Sequence, residues 1–138
     1  MKYLLSILIL FSGLSFSDEI KRLICDKPYI FYPDYEEREV VRIDMNDNPT
    51  EGSYLHVRSI YGDEFFNVKD YLIEPYTISW MKDTDSTDWI ASLDRITLKL
   101  TYRGFEPKQC KIAQYNQYRR EMDRIEEILK NDLDKRKI

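Results

Sequence analysis

The residues of this chain best suited to chemistry are few and far apart. There is one histidine, His56, inside the stretch YLHVR, and there are two cysteines, Cys25 and Cys110. A single histidine excludes a zinc site built on several histidines and leaves a serine triad without support. No GxSxG stretch occurs, and beyond the leader the serines are Ser53, Ser59, Ser79, Ser86 and Ser92. His56 therefore reads as an ordinary sheet residue. Neither cysteine has a second ligand or a CxxC partner nearby in sequence, which excludes the usual redox and zinc patterns.

Two further stretches bear inspection. DTDSTD carries Asp83, Asp85 and Asp88, with Asp94 twelfth from Asp83. The sixth place, where a calcium loop needs glycine, is Asp88, so the stretch reads as a solvated turn. PYIFYPDY carries Tyr29, Phe31, Tyr32 and Tyr35, a candidate binding surface for sugars or a partner peptide. The same residues also read as core or edge positions of a Tyr-rich sheet. Carboxylates are abundant, but the sequence places no two of them face to face as a hydrolase requires. The expectation is a non-enzyme with no metal and no cofactor.

The elements that would position these residues follow from composition and periodicity. The 138 residues suffice for one core, and 43% hydrophobic content can fill it. Eleven tyrosines in a chain that is 14% aromatic favour β-structure. A net charge of −4 argues against nucleic acid as a partner.

The first 17 residues, MKYLLSILILFSGLSFS, combine Lys2, an apolar run from Tyr3 to Phe11, and Ser15 and Ser17 at the −3 and −1 places of a cleavage site. This is the pattern of a secretory leader, and the run is too short for a stable membrane anchor. Its removal takes away Lys2 and leaves 20 basic and 25 acidic residues, with no transmembrane segment in the mature chain. An exported chain, periplasmic or secreted, meets oxidising conditions, so Cys25 and Cys110 are predicted to pair. Closing a loop of about 85 residues would stabilise by roughly 4–5 kcal/mol on the chain-entropy account.

Strands are predicted at Ile20–Cys25, Val40–Met45, Tyr54–Tyr61 and across YTISWM, where Tyr76, Ile78 and Trp80 share a face. DRITLKLTYRG places Ile96, Leu98, Leu100 and Tyr102 on one face over eight alternating residues. WIASL and KQCKI are predicted as its antiparallel neighbours, with Cys110 pointing inward. From Asn116, read as an N-cap, the period changes. Tyr118, Met122, Ile125 and Leu129 then form a helical stripe, predicted to pack on the chain's own β-domain. The predicted organisation is a leader over 1–17, an antiparallel β-domain over 18–115 and an amphipathic helix over 116–138. The fold class is mainly β, a meander forming a small sandwich or partly closed barrel.

The segment LDRITLKL…QCKI, Leu93–Ile112, together with the leader and the early cysteine, resembles a loose group of small exported proteins of bacteria and phages. The resemblance implies export and a strand at this position, and it carries no activity with it. The functional expectation is a small exported binding or interaction protein whose partner is a protein or a small ligand. An inhibitor of an envelope hydrolase and a small barrel carrying an apolar ligand are the alternatives. Oligomeric state is left open.

Overall fold

The computed structural model describes residues 20–26, 38–46, 50–83 and 88–135. Nine strands and one helix follow in chain order. They are β1 (Ile20–Asp26), β2 (Glu39–Asp44), β3 (Tyr54–Ser59), β4 (Gly62–Asn67), β5 (Tyr71–Ile73), β6 (Thr77–Lys82), β7 (Trp89–Asp94), β8 (Lys99–Tyr102), β9 (Lys108–Ile112) and α1 (Tyr115–Lys135). All pairings are antiparallel, in the order β4-β3-β2-β1-β9-β8-β7-β6-β5.

That order requires a coiled sheet. β4 and β5 are its two edges, and only Val68, Lys69 and Asp70 connect them, with the Asp70 N–H bonded to the Asn67 carbonyl at 2.8 Å. A flat sheet would hold these edges about 38 Å apart. Three linking residues span at most about 14 Å. The sheet therefore curls into a nearly closed barrel. With nine alternating strands the two edges run in the same sense, and among the described residues no ladder joins them. Packing closes the gap.

Period-two alternation fills the interior. Leu23, Cys25, Val41, Ile43, Leu55, Ile78, Trp80, Leu93, Leu100 and Cys110 form one buried cluster. The outer face has a second. Ile24 and Val40 pack there with Ala113, Tyr118, Met122 and Ile125, and Ile60 and Leu129 lie against them. The helical stripe thus docks on β1 and β2 of its own chain, as its spacing predicts. Ion pairs flank it, Arg38–Glu121 at 3.1 Å and Arg58–Glu126 at 3.3 Å. The i,i+4 pair Arg119–Asp123 forms at 3.4 Å. α1 begins one residue before the predicted cap. The Tyr118 N–H bonds the Gln114 carbonyl, and Gln117 Oε1 accepts the Gln114 N–H, so Gln114 caps the helix in place of Asn116.

One expectation needs correction. The eight-residue alternation from Ile96 to Arg103 is not one strand. β7 ends at Asp94, whose Oδ1 accepts the N–H groups of Ile96 (2.8 Å) and Thr97 (2.9 Å). This side-chain turn out-competes ladder pairing. Leu98 takes φ 59°, and Ile96 is 73% exposed. Only Lys99–Tyr102 pairs as β8. Tyr76 likewise lies exposed in the turn before β6, and β5 has no counterpart among the predicted strands.

The cysteine pairing is as expected. Cys25 and Cys110 are direct partners across β1 and β9, disulfide-bonded with Cα atoms 3.9 Å apart.

Candidate functional site at the barrel mouth

Three side chains that the alternation aims inward converge at one end of the barrel. Glu39 opens β2 in phase with Val41 and Ile43, Tyr102 ends β8 in phase with Leu100, and Lys108 opens β9 in phase with Cys110. Cys25 pairs with Cys110 on one side and Glu39 on the other, so the disulfide lies in the same cross-strand row as Glu39 and ties the Lys108 strand beside it. The Tyr102 hydroxyl donates to Glu39 Oε2 at 3.1 Å. Lys108 Nζ stands 3.7 Å from Oε1, near enough for charge attraction and too far for a hydrogen bond, so that oxygen is buried without a hydrogen-bond partner.

Burial decides the electrostatics. Glu39 is 5% exposed. Desolvation raises its pKa, and the attraction of Lys108 and the Tyr102 hydrogen bond offset this only in part. Burial, followed by the charge and hydrogen bond of Glu39, drives the Tyr102 phenol far above its ordinary value. Tyr102 therefore stays protonated and acts as a donor.

Above this floor the mouth is open. An inner cavity of about 160 Å³ is lined by Glu39, Glu64, Trp80, Met81 and Tyr102 among others. An outer cleft of about 690 Å³ shares Tyr61, Met81 and Tyr102 with it and is also bounded by Phe105 and Lys108. Tyr61 and Phe105 form exposed aromatic lips, 77% and 76% accessible. Met81 has φ 63°, a conformation that costs a non-glycine residue roughly 1–2 kcal/mol. The twist interrupts pairing at Met81 and lets a side chain of outward phase pack against the interior cluster. Gly104, with φ 83°, makes the turn that presents Phe105, whose N–H bonds the Tyr102 carbonyl.

The residues singled out by type fare differently. His56 is a buried sheet residue on the outer face, stacked on Phe65 at 4.0 Å and paired through Nε2 with Asp63. Asp83 accepts from Arg103 at 2.6 Å, and its N–H bonds the Asp88 carbonyl. Asp85 lies outside the described residues, as do Tyr29, Phe31, Tyr32, Tyr35 and residues 1–17, where a leader was expected. Among the described residues no cluster of three or more His, Cys, Asp or Glu could hold a metal ion, and no helix is long and apolar enough to cross a membrane. Glu39, Tyr102 and Lys108 were open to sequence reading through their inward phase alone. Tyr61 and Phe105 gave no signal beyond being aromatic residues next to glycine.

No family model, no curated protein and no solved structure matches this chain.

Proposed function

We propose that this protein is an exported, non-enzymatic binding protein that takes its ligand or partner at the barrel mouth. The observation that carries the reading is the pair of exposed aromatic lips, Tyr61 and Phe105, on a cleft of about 690 Å³ also lined by Tyr102 and Lys108, whose polar ends meet the buried Glu39. Apolar walls with a few fixed polar groups are the usual make-up of a ligand site. Exposed aromatics supply contact area at low entropic cost. The disulfide fits an oxidising compartment and, with the leader pattern, supports export.

The rim is better supported than the interior. A pocket for a small molecule occupies about 300–1,000 Å³. The cavities at the two ends of the barrel core are about 160 and 150 Å³, and Trp80, Leu55 and Leu100 fill the middle. A carrier of an apolar ligand would have to open this core. The inhibitor reading draws on one feature, Phe105 displayed on a turn anchored by the Tyr102 carbonyl.

The test is capture from envelope extract by immobilised mature protein, beside the variant Y61A/F105A. A ligand or protein retained by the wild type and lost by the variant is the expected result. Equal retention by both would refute the mouth as the binding site.

A further inference from the structure

On the outer face, away from the mouth, Arg22 and Arg42 are direct partners across β1 and β2. Their Cα atoms thus sit about 4.5–5.5 Å apart, and like charges placed directly opposite repel. The other described arginines of the sheet and its turns have acceptors. Arg38 bonds Asp26 and Glu121, Arg58 pairs with Asp63 and Glu126, Arg95 donates to the Glu74 carbonyl, and Arg103 bonds Asp83. Arg22 and Arg42 pair with no carboxylate among the described residues, although the chain holds 25 acidic groups against 21 basic ones. Arg22 Nε and Arg42 Nη1 are buried with no hydrogen-bond partner.

What surrounds the pair is aromatic. The Arg42 guanidinium lies 4.0 Å from the centroid of Tyr54, and that of Arg22 lies 5.1 Å from Tyr115 and 5.8 Å from Tyr118. These ring faces orient and partly stabilise the two cations without neutralising them. Tyr118 senses both charges, which pull its pKa down against the larger effect of burial. Of the acids on this face, Asp63 is engaged by His56 and Arg58, and Asp44, two residues along β2 from Arg42, accepts the Asn46 N–H.

We infer that Arg22 and Arg42 together form a binding site for a small oxyanion of the phosphate or sulfate type, walled by Tyr54, Tyr115 and Tyr118. Two planar guanidinium forks side by side match the several oxygens of such a group and hold it by charge-assisted hydrogen bonds. One bound dianion would relieve the cross-strand repulsion. The site is independent of the mouth, since it uses the opposite face of β1 and β2.

The experiment is thermal unfolding of the oxidised mature protein with inorganic phosphate, sulfate or acetate against sodium chloride at matched ionic strength. Phosphate and sulfate are expected to raise the midpoint saturably and beyond chloride, with acetate weaker. R22Q and R42Q should each weaken the apparent affinity at least tenfold. R42K, which keeps the charge and loses the fork, should fall between them and the wild type, and R120Q on exposed helix surface should leave it unchanged. Should a glutamine variant fail to fold, the side-chain Nε–Hε NMR signals of Arg22 and Arg42 in the wild type decide instead, since phosphate must shift both. A response no larger than that of chloride, or one that persists in R22Q and R42Q, would overturn the proposal.

Discussion

The two halves of the sheet are built from the same period-two pattern and yet differ in how they are buried. In β1–β3 both faces are covered. Leu23, Cys25, Val41, Leu55 and Val57 face the barrel, while Ile24, Val40 and His56 are buried on the outside. In β8 only one face is covered, with Leu100 inside and Lys99 and Thr101 open to water. The main difference is α1, which packs on β1 and β2. A strand buried on both faces loses its alternation and reads as a run, as LIC and VV do here. The covered half also hosts Arg22 and Arg42, and the helix brings Tyr115 and Tyr118 over Arg22.

The seam between the halves is the β1–β9 pairing with its disulfide, and breaking it should have the largest effect. The double variant C25A/C110A is expected to lose roughly 4–5 kcal/mol on the chain-entropy account. Urea unfolding of the oxidised wild type and the variant measures this. A loss below about 1 kcal/mol would mean that ladder and core join the halves without the bridge.

Next comes the cover itself. Ile125 is fully buried between α1 and the outer face. I125A should cost about 2–5 kcal/mol, like other large-to-small changes in cores. Amide exchange should then quicken in β1–β3 before β6–β8. L100A, which empties interior space, should cost about as much and loosen both halves together. Equal exchange patterns for the two variants would erase the distinction between the halves.

A smaller effect should follow pH. Burial raises the folded-state pKa of Glu39 above its ordinary value near 4.5. The folded protein thus holds this proton more tightly than the unfolded chain does. Stability from this group is fully present below the ordinary value and is lost as pH rises through the raised one. E39Q should remove that slope and gain on the wild type toward neutral pH, since Gln still accepts from Tyr102. Urea midpoints of both proteins across this range test it, and parallel pH profiles would refute the assignment. The smallest change belongs to the open face, where T101A should stay within about 0.5 kcal/mol of the wild type.

How much of this was legible in the sequence depends on the range of the interaction. Local signals carried well. The helical stripe of Tyr118, Met122, Ile125 and Leu129 and the inward phase of Cys110 both depend on residues a few positions apart. The strand assigned to Ile96–Arg103 failed for a local reason of another kind, since alternation is blind to a carboxylate that bonds the backbone two and three residues on. β5 was too short, at three residues, to show a period at all.

By itself, then, the sequence determined the mainly β class, the terminal helix and a cysteine pair with one intrachain partner each. Those features need only composition, count and short spacing. Tertiary structure alone decided which strands are neighbours. Glu39 stands 63 residues before Tyr102, which faces it beside Lys108, and Arg22 and Arg42 lie on separate strands. Period-two phase tells which way each side chain points and is silent on what it points at. The three-residue link from β4 to β5 forces the sheet to coil, and coiling brings Tyr61 and Met81 from opposite halves to one mouth. A site assembled from such long-range pairings is written in the closure of the barrel, where loop entropy and packing are settled together.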